Sequence, residues 1–142
     1  MTVSSAAAIA IIGSGSIGAA WAIVFARAGF TVNLQDLAET QLDKARVLIA
    51  DRLTELDHNG LLEEPADVLA ARIGYSSELE SAVANAAMVV EAAPEVLEIK
   101  QALFARLIAL TGPETPLASS SSAITASRFA GDLEGRERCL VA

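Results

Sequence analysis

Positive charge, sulfur and imidazole are all scarce in this chain. Ten lysines and arginines face 18 aspartates and glutamates, giving a formal net charge of −8. A surface of that sign repels the phosphates of nucleic acid and anionic lipid headgroups, so neither is an expected partner. The single cysteine, Cys139, excludes an internal disulfide framework and accords with a reducing cytoplasm, the expected location. The single histidine, His58, sits in the helix-ending run Asp57-His58-Asn59-Gly60 and reads as a surface residue. Aromatics make up only 4% of a chain that is 53% apolar, with alanine prominent, which favours helices packed closely on a sheet over an all-β sandwich. No uninterrupted apolar run reaches the roughly 18 residues of a membrane span. The nearest approach, Ile17 to Ala26 and its flanks, is broken by Gly13, Gly15, Gly18 and Arg27. The apolar run Ala6 to Ile12 has no basic segment before it and ends in glycines, unlike an export signal. Glu63, Glu64 and Asp67 straddle a proline with no histidine or cysteine beside them, so they read as a solvated face and no metal is expected.

What is present is an alternation of strand-like and helix-like segments within one domain, residues 1–142. Strands are predicted at 8–12, 30–35, 72–75, 88–92, 117–120 and 139–142. Helices are predicted at 17–28, 39–57, 65–71, 78–85, 95–110 (with Pro94 at its start) and 124–130. Repeated βα units imply a parallel sheet joined by right-handed crossovers, an α/β doubly wound architecture of three layers.

Between the first strand and first helix stands Gly13-Ser14-Gly15-Ser16-Ile17-Gly18, with G-x-G-x-x-G spacing. In this setting Gly13 allows a tight turn, Gly15 admits a pyrophosphate close to the backbone, and Gly18 lets the helix approach the strand. The helix start adds free N–H groups and a positive dipole end for the phosphates. The motif therefore points to a Rossmann-type dinucleotide site formed by Gly13 to Gly18. Asp36 ends the second strand about 20 residues on, where an acid hydrogen-bonds the adenosine ribose and repels a 2′-phosphate. NAD is favoured over NADP.

The glycine motif, Asp36, the stretch Val89-Val90-Glu91-Ala92-Ala93-Pro94-Glu95-Val96-Leu97-Glu98-Ile99-Lys100 and the serine run Ser119 to Ser122 together resemble the 3-hydroxyacyl-CoA dehydrogenase family. The likeness covers nearly the whole chain. Pro94-Glu95-x-Leu97-Glu98-x-Lys100 is similar to the branch that holds lambda-crystallin, L-gulonate 3-dehydrogenase and L-carnitine dehydrogenase. The resemblance implies that Gln41 lies near the adenosine, that Ala92 and Ala93 run beside the cofactor, and that Glu95 and Lys100 contact its nicotinamide half. The same positions read without it as an exposed helix residue, strand packing, a helix-start acid and a solvated lysine. Ser122 matches the serine that holds the substrate's reacting oxygen, and it also reads as a helix N-cap. Ser121 stands where threonine is usual.

The implied activity is oxidation of the C3 hydroxyl of an L-3-hydroxy acid or 3-hydroxyacyl-CoA, with hydride passing to NAD+. The family's histidine base would follow immediately after Ala142, and its helical substrate and dimerisation domain would come later still. The apolar end Cys139-Leu140-Val141-Ala142 carries the expectation that more protein follows, that the 142 residues alone are inactive, and that the whole is a homodimer. A non-catalytic NAD sensor or crystallin-like structural module is the alternative, and the substrate-facing serine weighs against it. The segment Ala38 to Asp67 carries Lys44, Arg46 and Arg52 against eight acids. That imbalance favours a small free 3-hydroxy acid over a multiply phosphorylated CoA thioester.

Overall fold

Five apolar residues in succession, Ala8–Ile12, form the central strand β1, and a strand so uniformly apolar must be covered on both faces. The computed structural model describes residues 7–142; Ala6 and the rest of residues 1–6 lie outside the described residues. After β1 come α1 (Ser16–Arg27), β2 (Thr31–Gln35), α2 (Glu39–His58), α3 (Ala66–Ala71), β3 (Ile73–Ser76), α4 (Leu79–Val83) and β4 (Ala86–Glu91). The chain continues through α5 (Leu97–Leu110), β5 (Leu117–Ser119), α6 (Ala126–Ala130), a short 3-10 turn at Arg136–Arg138, and β6 (Cys139–Val141). All strand pairs are parallel, in the order β3-β2-β1-β4-β5-β6. That is the doubly wound Rossmann order, in which the direction of strand addition reverses between β1 and β4.

Alternate residues of the inner strands supply two cores. Ile9, Ile11 and Val90 join Ala19, Ala22 and Ile23 of α1 and Ala45, Ile49 and Leu53 of α2 on one face. Ala10, Ile12 and Val89 join Leu79 of α4, Phe104 and Leu107 of α5 and Phe129 of α6 on the other. The α1 contacts are mostly alanine, so this helix lies close against the sheet. Helix α2 turns Leu42, Ala45, Ile49 and Leu53 inward, with Leu48 half-buried beside them.

Two boundaries move for reasons that matter to the site. Helix α5 begins at Leu97 rather than Glu95, because Val96 N–H donates to Pro94 O at 2.8 Å in a tight turn that keeps Glu95 outside the helix. Helix α6 begins at Ala126 with Thr125 as its N-cap residue, so Ser122 is not the cap. Ile124 N–H instead donates to Ser121 Oγ at 2.8 Å, and residues 122–124 form a bend.

The tightest packing lies where β1 passes into α1. A Cβ on Gly18 would stand 1.8 Å from the carbonyl oxygen of Gly13, too close for either backbone to accommodate without moving. Gly18→Ala is therefore expected to cost about 3 kcal/mol of stability, at the upper end of ordinary overpacking, read as a lowered midpoint in urea unfolding.

Candidate functional site

The carboxyl ends of β1, β2, β4 and β5 converge above the point where strand order reverses. At the end of β1, Gly13 takes a left-handed conformation (φ 100°), and its N–H donates to Gln35 O at 2.8 Å. A Cβ there would lie 2.5 Å from Ala92 O. Gly15, the N-cap residue of α1, differs: its Cβ would meet nothing within 4 Å. It is thus free of any packing requirement of the fold, and the space it leaves open adjoins the start of a 12-residue helix that no side chain caps. That combination is a cradle for an anion held by backbone N–H groups.

Ser14 is buried, and both its N–H (3.0 Å) and its Oγ (2.9 Å) donate to Asp36 Oδ2. Ala38 N–H reaches Oδ1 at 3.3 Å. The carboxylate at the end of β2 is thereby held in place by the glycine loop it serves. Ser16 and Ile17 open α1 as exposed residues. Arg52 returns from α2, donating to Ser16 O at 3.0 Å and Ser16 Oγ at 2.7 Å.

A cavity of about 660 Å³ beside this loop gathers Gly13, Asp36, Gln41, Ala92 and Ala93 on its lining. Four of its other residues were not singled out from sequence: Leu37, Ile99, Leu103 and Arg106. A signal existed for three of them. Leu37 is a large apolar residue in the turn immediately after Asp36, and it stands 84% exposed. Ile99 and Leu103 make a second apolar stripe on α5, offset from the core stripe of Phe104 and Leu107.

The other half of the site is a chain of polar contacts across β4, α5 and β5. Lys100 is not the solvated residue that its sequence neighbours allowed. It is 1% exposed, with its ammonium bonded to both carboxylate oxygens of Glu91 and 3.8 Å from Glu95 Oε1. Glu95 Oε1 accepts the Ser121 hydroxyl, and Oε2 accepts Ser122 N–H at 3.4 Å. Ser122 itself is exposed, on a concavity of about 340 Å³ shared with Ser121, Ile124, Thr125 and Val141. Glu91 and Ser119, which complete the buried part of the network, stand within the family-like stretches of sequence but carry no role in that reading.

Environment drives the two carboxylates apart. Burial pushes Glu91 above the ordinary carboxylate range against the opposing pull of Lys100. The Ser121 hydroxyl, and then the Lys100 charge, hold Glu95 below it. Other titratable residues lie outside this arrangement. His58 closes α2, a crossover helix that starts at the carboxyl edge of the sheet and so ends at the opposite edge from Ser122. Glu64 is engaged by Arg72 through two 2.7 Å bonds. Cys139 packs against the second core, and burial raises its thiol.

The Glu95 geometry gives a pH signature. Because its folded pKa is depressed, the Glu95 contacts support the fold above the ordinary carboxylate value and are lost as pH falls through the depressed one. Carbon-detected NMR titration should put the Glu95 midpoint below the ordinary glutamate range. Ser121→Ala should move it back up; an unmoved midpoint would show that the hydroxyl does not set it.

Residues 8–142 match the family model described as 3-hydroxyacyl-CoA dehydrogenase, NAD binding domain. Among curated relatives, the lambda-crystallin homolog of Bos taurus is 38% identical over 136 residues, covering 94% of this chain and 42% of that protein. The L-carnitine dehydrogenase of Streptomyces griseus is 40% identical over 114 residues, 80% of this chain and 33% of that protein. Among solved structures, 3-hydroxybutyryl-CoA dehydrogenase from Escherichia coli K12 superposes with a TM-score of 0.89 at 34% identity, over 96% of this chain and 29% of that one. The chain thus spans less than half the length of these relatives. With the glycine cradle, the Asp36 anchor and the strand order already in place, the match over residues 8–142 makes this chain an NAD-binding domain of the 3-hydroxyacyl-CoA dehydrogenase family.

Proposed function

We propose that this domain is the cofactor half of an enzyme that oxidises the C3 hydroxyl of an L-3-hydroxy acid. The observation that carries the reading is the juxtaposition of two sites on one sheet edge. The glycine cradle and Asp36 stand at β1 and β2, and the Glu95–Ser121–Ser122 network stands at β4 and β5. NAD, when bound, supplies the hydride acceptor. The backbone around Gly15, Ser16 and Ile17 receives its pyrophosphate, with Ser14 holding Asp36 toward the adenosine ribose. Gln41, Ala92 and Ala93 line the adenosine side. Glu95 serves the nicotinamide half, and Lys100, too buried for the direct contact the resemblance implies, holds it from beneath.

Ser122 is the residue we assign to the substrate oxygen. Its exposure and its place on the concavity beyond β5 support that role, and its backbone is held by Glu95. Among the described residues no imidazole stands near it. A positioned general base contributes roughly 10²–10⁴-fold in rate. The 142-residue chain is therefore expected to bind NAD without producing NADH from 3-hydroxy acids. Turnover by the chain alone would mean that one of its own residues is the base.

Cofactor choice follows from charge. The Asp36 carboxylate, already fixed by Ser14, would face a 2′-phosphate directly. Calorimetric titration should give NAD binding at least about ten-fold tighter than NADP, a gap of about 1.4 kcal/mol; equal affinities would remove Asp36 from the ribose. Gly15→Val should abolish NAD binding and leave the unfolding midpoint nearly unchanged, since its Cβ meets no protein atom. Loss of both together would refute the cradle.

For substrate, the acidic balance of residues 38–67 supports a small free acid. Of its three cations, Arg46 pairs with Asp43 and Arg52 is drawn to Ser16, which leaves Lys44 to oppose the exposed acids of α2. The relatives include both a carnitine dehydrogenase and a 3-hydroxybutyryl-CoA dehydrogenase. The deciding measurement is kcat/KM of the protein carrying this domain on L-gulonate, carnitine, L-3-hydroxybutyrate and L-3-hydroxybutyryl-CoA. A dominant thioester rate would overturn the preference.

A further inference from the structure

The last residue of β4, Glu91, is fully buried and lines neither cavity, yet two separate arms run from its carboxylate to the serine turn. In the first, Glu91 accepts the Lys100 ammonium on both oxygens, and the same ammonium lies 3.8 Å from Glu95, whose two oxygens accept Ser121 Oγ–H and Ser122 N–H. In the second, Ser119 Oγ–H donates to Glu91 Oε2 at 3.0 Å, and the same Ser119 oxygen accepts Ser121 N–H at 3.2 Å. The Glu91 carbonyl adds a third hold on the turn, accepting both the N–H (2.9 Å) and the hydroxyl (2.8 Å) of Ser120.

Stability alone does not account for this arrangement. A buried ion pair costs nearly as much desolvation as it returns in attraction, and well-packed apolar groups of equal volume often serve the fold as well. What apolar groups cannot do is fix direction. Every hydrogen-bonding contact here is directional, and the two arms, on α5 and β5, meet at Ser121. In the doubly wound fold a dinucleotide lies across the carboxyl ends of the strands, one mononucleotide to each half. With Asp36 taking the adenosine side at β2, the other half falls above β4 and β5, over this network.

We infer that Glu91 is the positioning residue for the nicotinamide half of the site. It acts through Lys100 on Glu95 and through Ser119 on the Ser121–Ser122 turn, and touches neither cofactor nor substrate. The inference rests on the function proposed above.

The experiment compares two ligands that differ only in the nicotinamide. NAD and ADP-ribose are titrated calorimetrically into this chain and into Glu91→Gln, Lys100→Met and the double variant. Glu91→Gln should weaken NAD about ten-fold, a coupling of ordinary size for groups in one hydrogen-bonded network, and change ADP-ribose by less than about two-fold. In the double variant the Glu91 and Lys100 effects should fall well short of multiplying, because within the first arm Glu91 acts through Lys100. If Glu91→Gln does not fold, Ser119→Ala, which removes a single hydroxyl from the second arm, carries the test with about three-fold weaker NAD and unchanged ADP-ribose. Parallel weakening of both ligands, unchanged NAD affinity in a folded variant, or fully multiplying effects would each overturn the inference. A wild-type chain that binds ADP-ribose but gains nothing from the nicotinamide defeats it while the adenosine site stands. One that binds neither ligand defeats the proposed function as well.

Discussion

Three backbone segments meet at Gly13 with no room for a side chain between them. Its missing Cβ would overlap Ala92 O at the end of β4, and the missing Cβ of Gly18 would overlap the Gly13 carbonyl. This contact seats α1 on the sheet with its N-terminus beside the crevice between β1 and β4. The rest of the site depends on it. Ser14 is buried where it can hold Asp36, Gly15 is left with its front open, and Ala92 and Ala93 become part of the cavity wall. The three glycines thus do different work. Two are demanded by packing, and the third by the space in front of it.

The opposite half of the site is built from charge rather than close approach. Glu91, Lys100 and Glu95 carry a formal sum of −1, and the two buried members leave no buried side-chain polar atom unpartnered among the described residues. Full satisfaction matters, because a partly satisfied buried network costs more than an apolar one. Glu95 stands at the boundary. Its side chain is 43% exposed, so it is the member of the trio that reaches both the interior charge and the site. The opposite displacement of its titration from that of Glu91 expresses that difference in surroundings.

A strongly acidic chain that receives an anionic dinucleotide must confine its favourable field. Here the phosphates would meet backbone N–H groups and a helix dipole, with Arg52 drawn to Ser16 across 36 residues of sequence. The acids of α2 lie on its outer face, while Leu42, Ala45, Ile49 and Leu53 occupy the inner one.

The sequence by itself determined the sheet, its parallel winding, the glycine turn and the anchoring acid. These follow from short-range rules: unbroken apolar strands need two covers, helical periodicity names the inward face of α2, and G-x-G-x-x-G after a strand allows one turn. It also pointed to Gln41, Ala92 and Ala93, which the fold gathers on one cavity with Asp36. Only the tertiary structure decided that Lys100 is interior and paired, that Glu91 is its partner, and that Ser121, not Ser122, binds the amide of Ile124. The physical reason is range. Glu91 and Lys100 are nine residues apart and Glu91 and Ser119 are 28 apart, on elements whose mutual placement no local pattern encodes. A lysine three residues into a helix looks solvated until the strand beneath it is seen to end in a carboxylate.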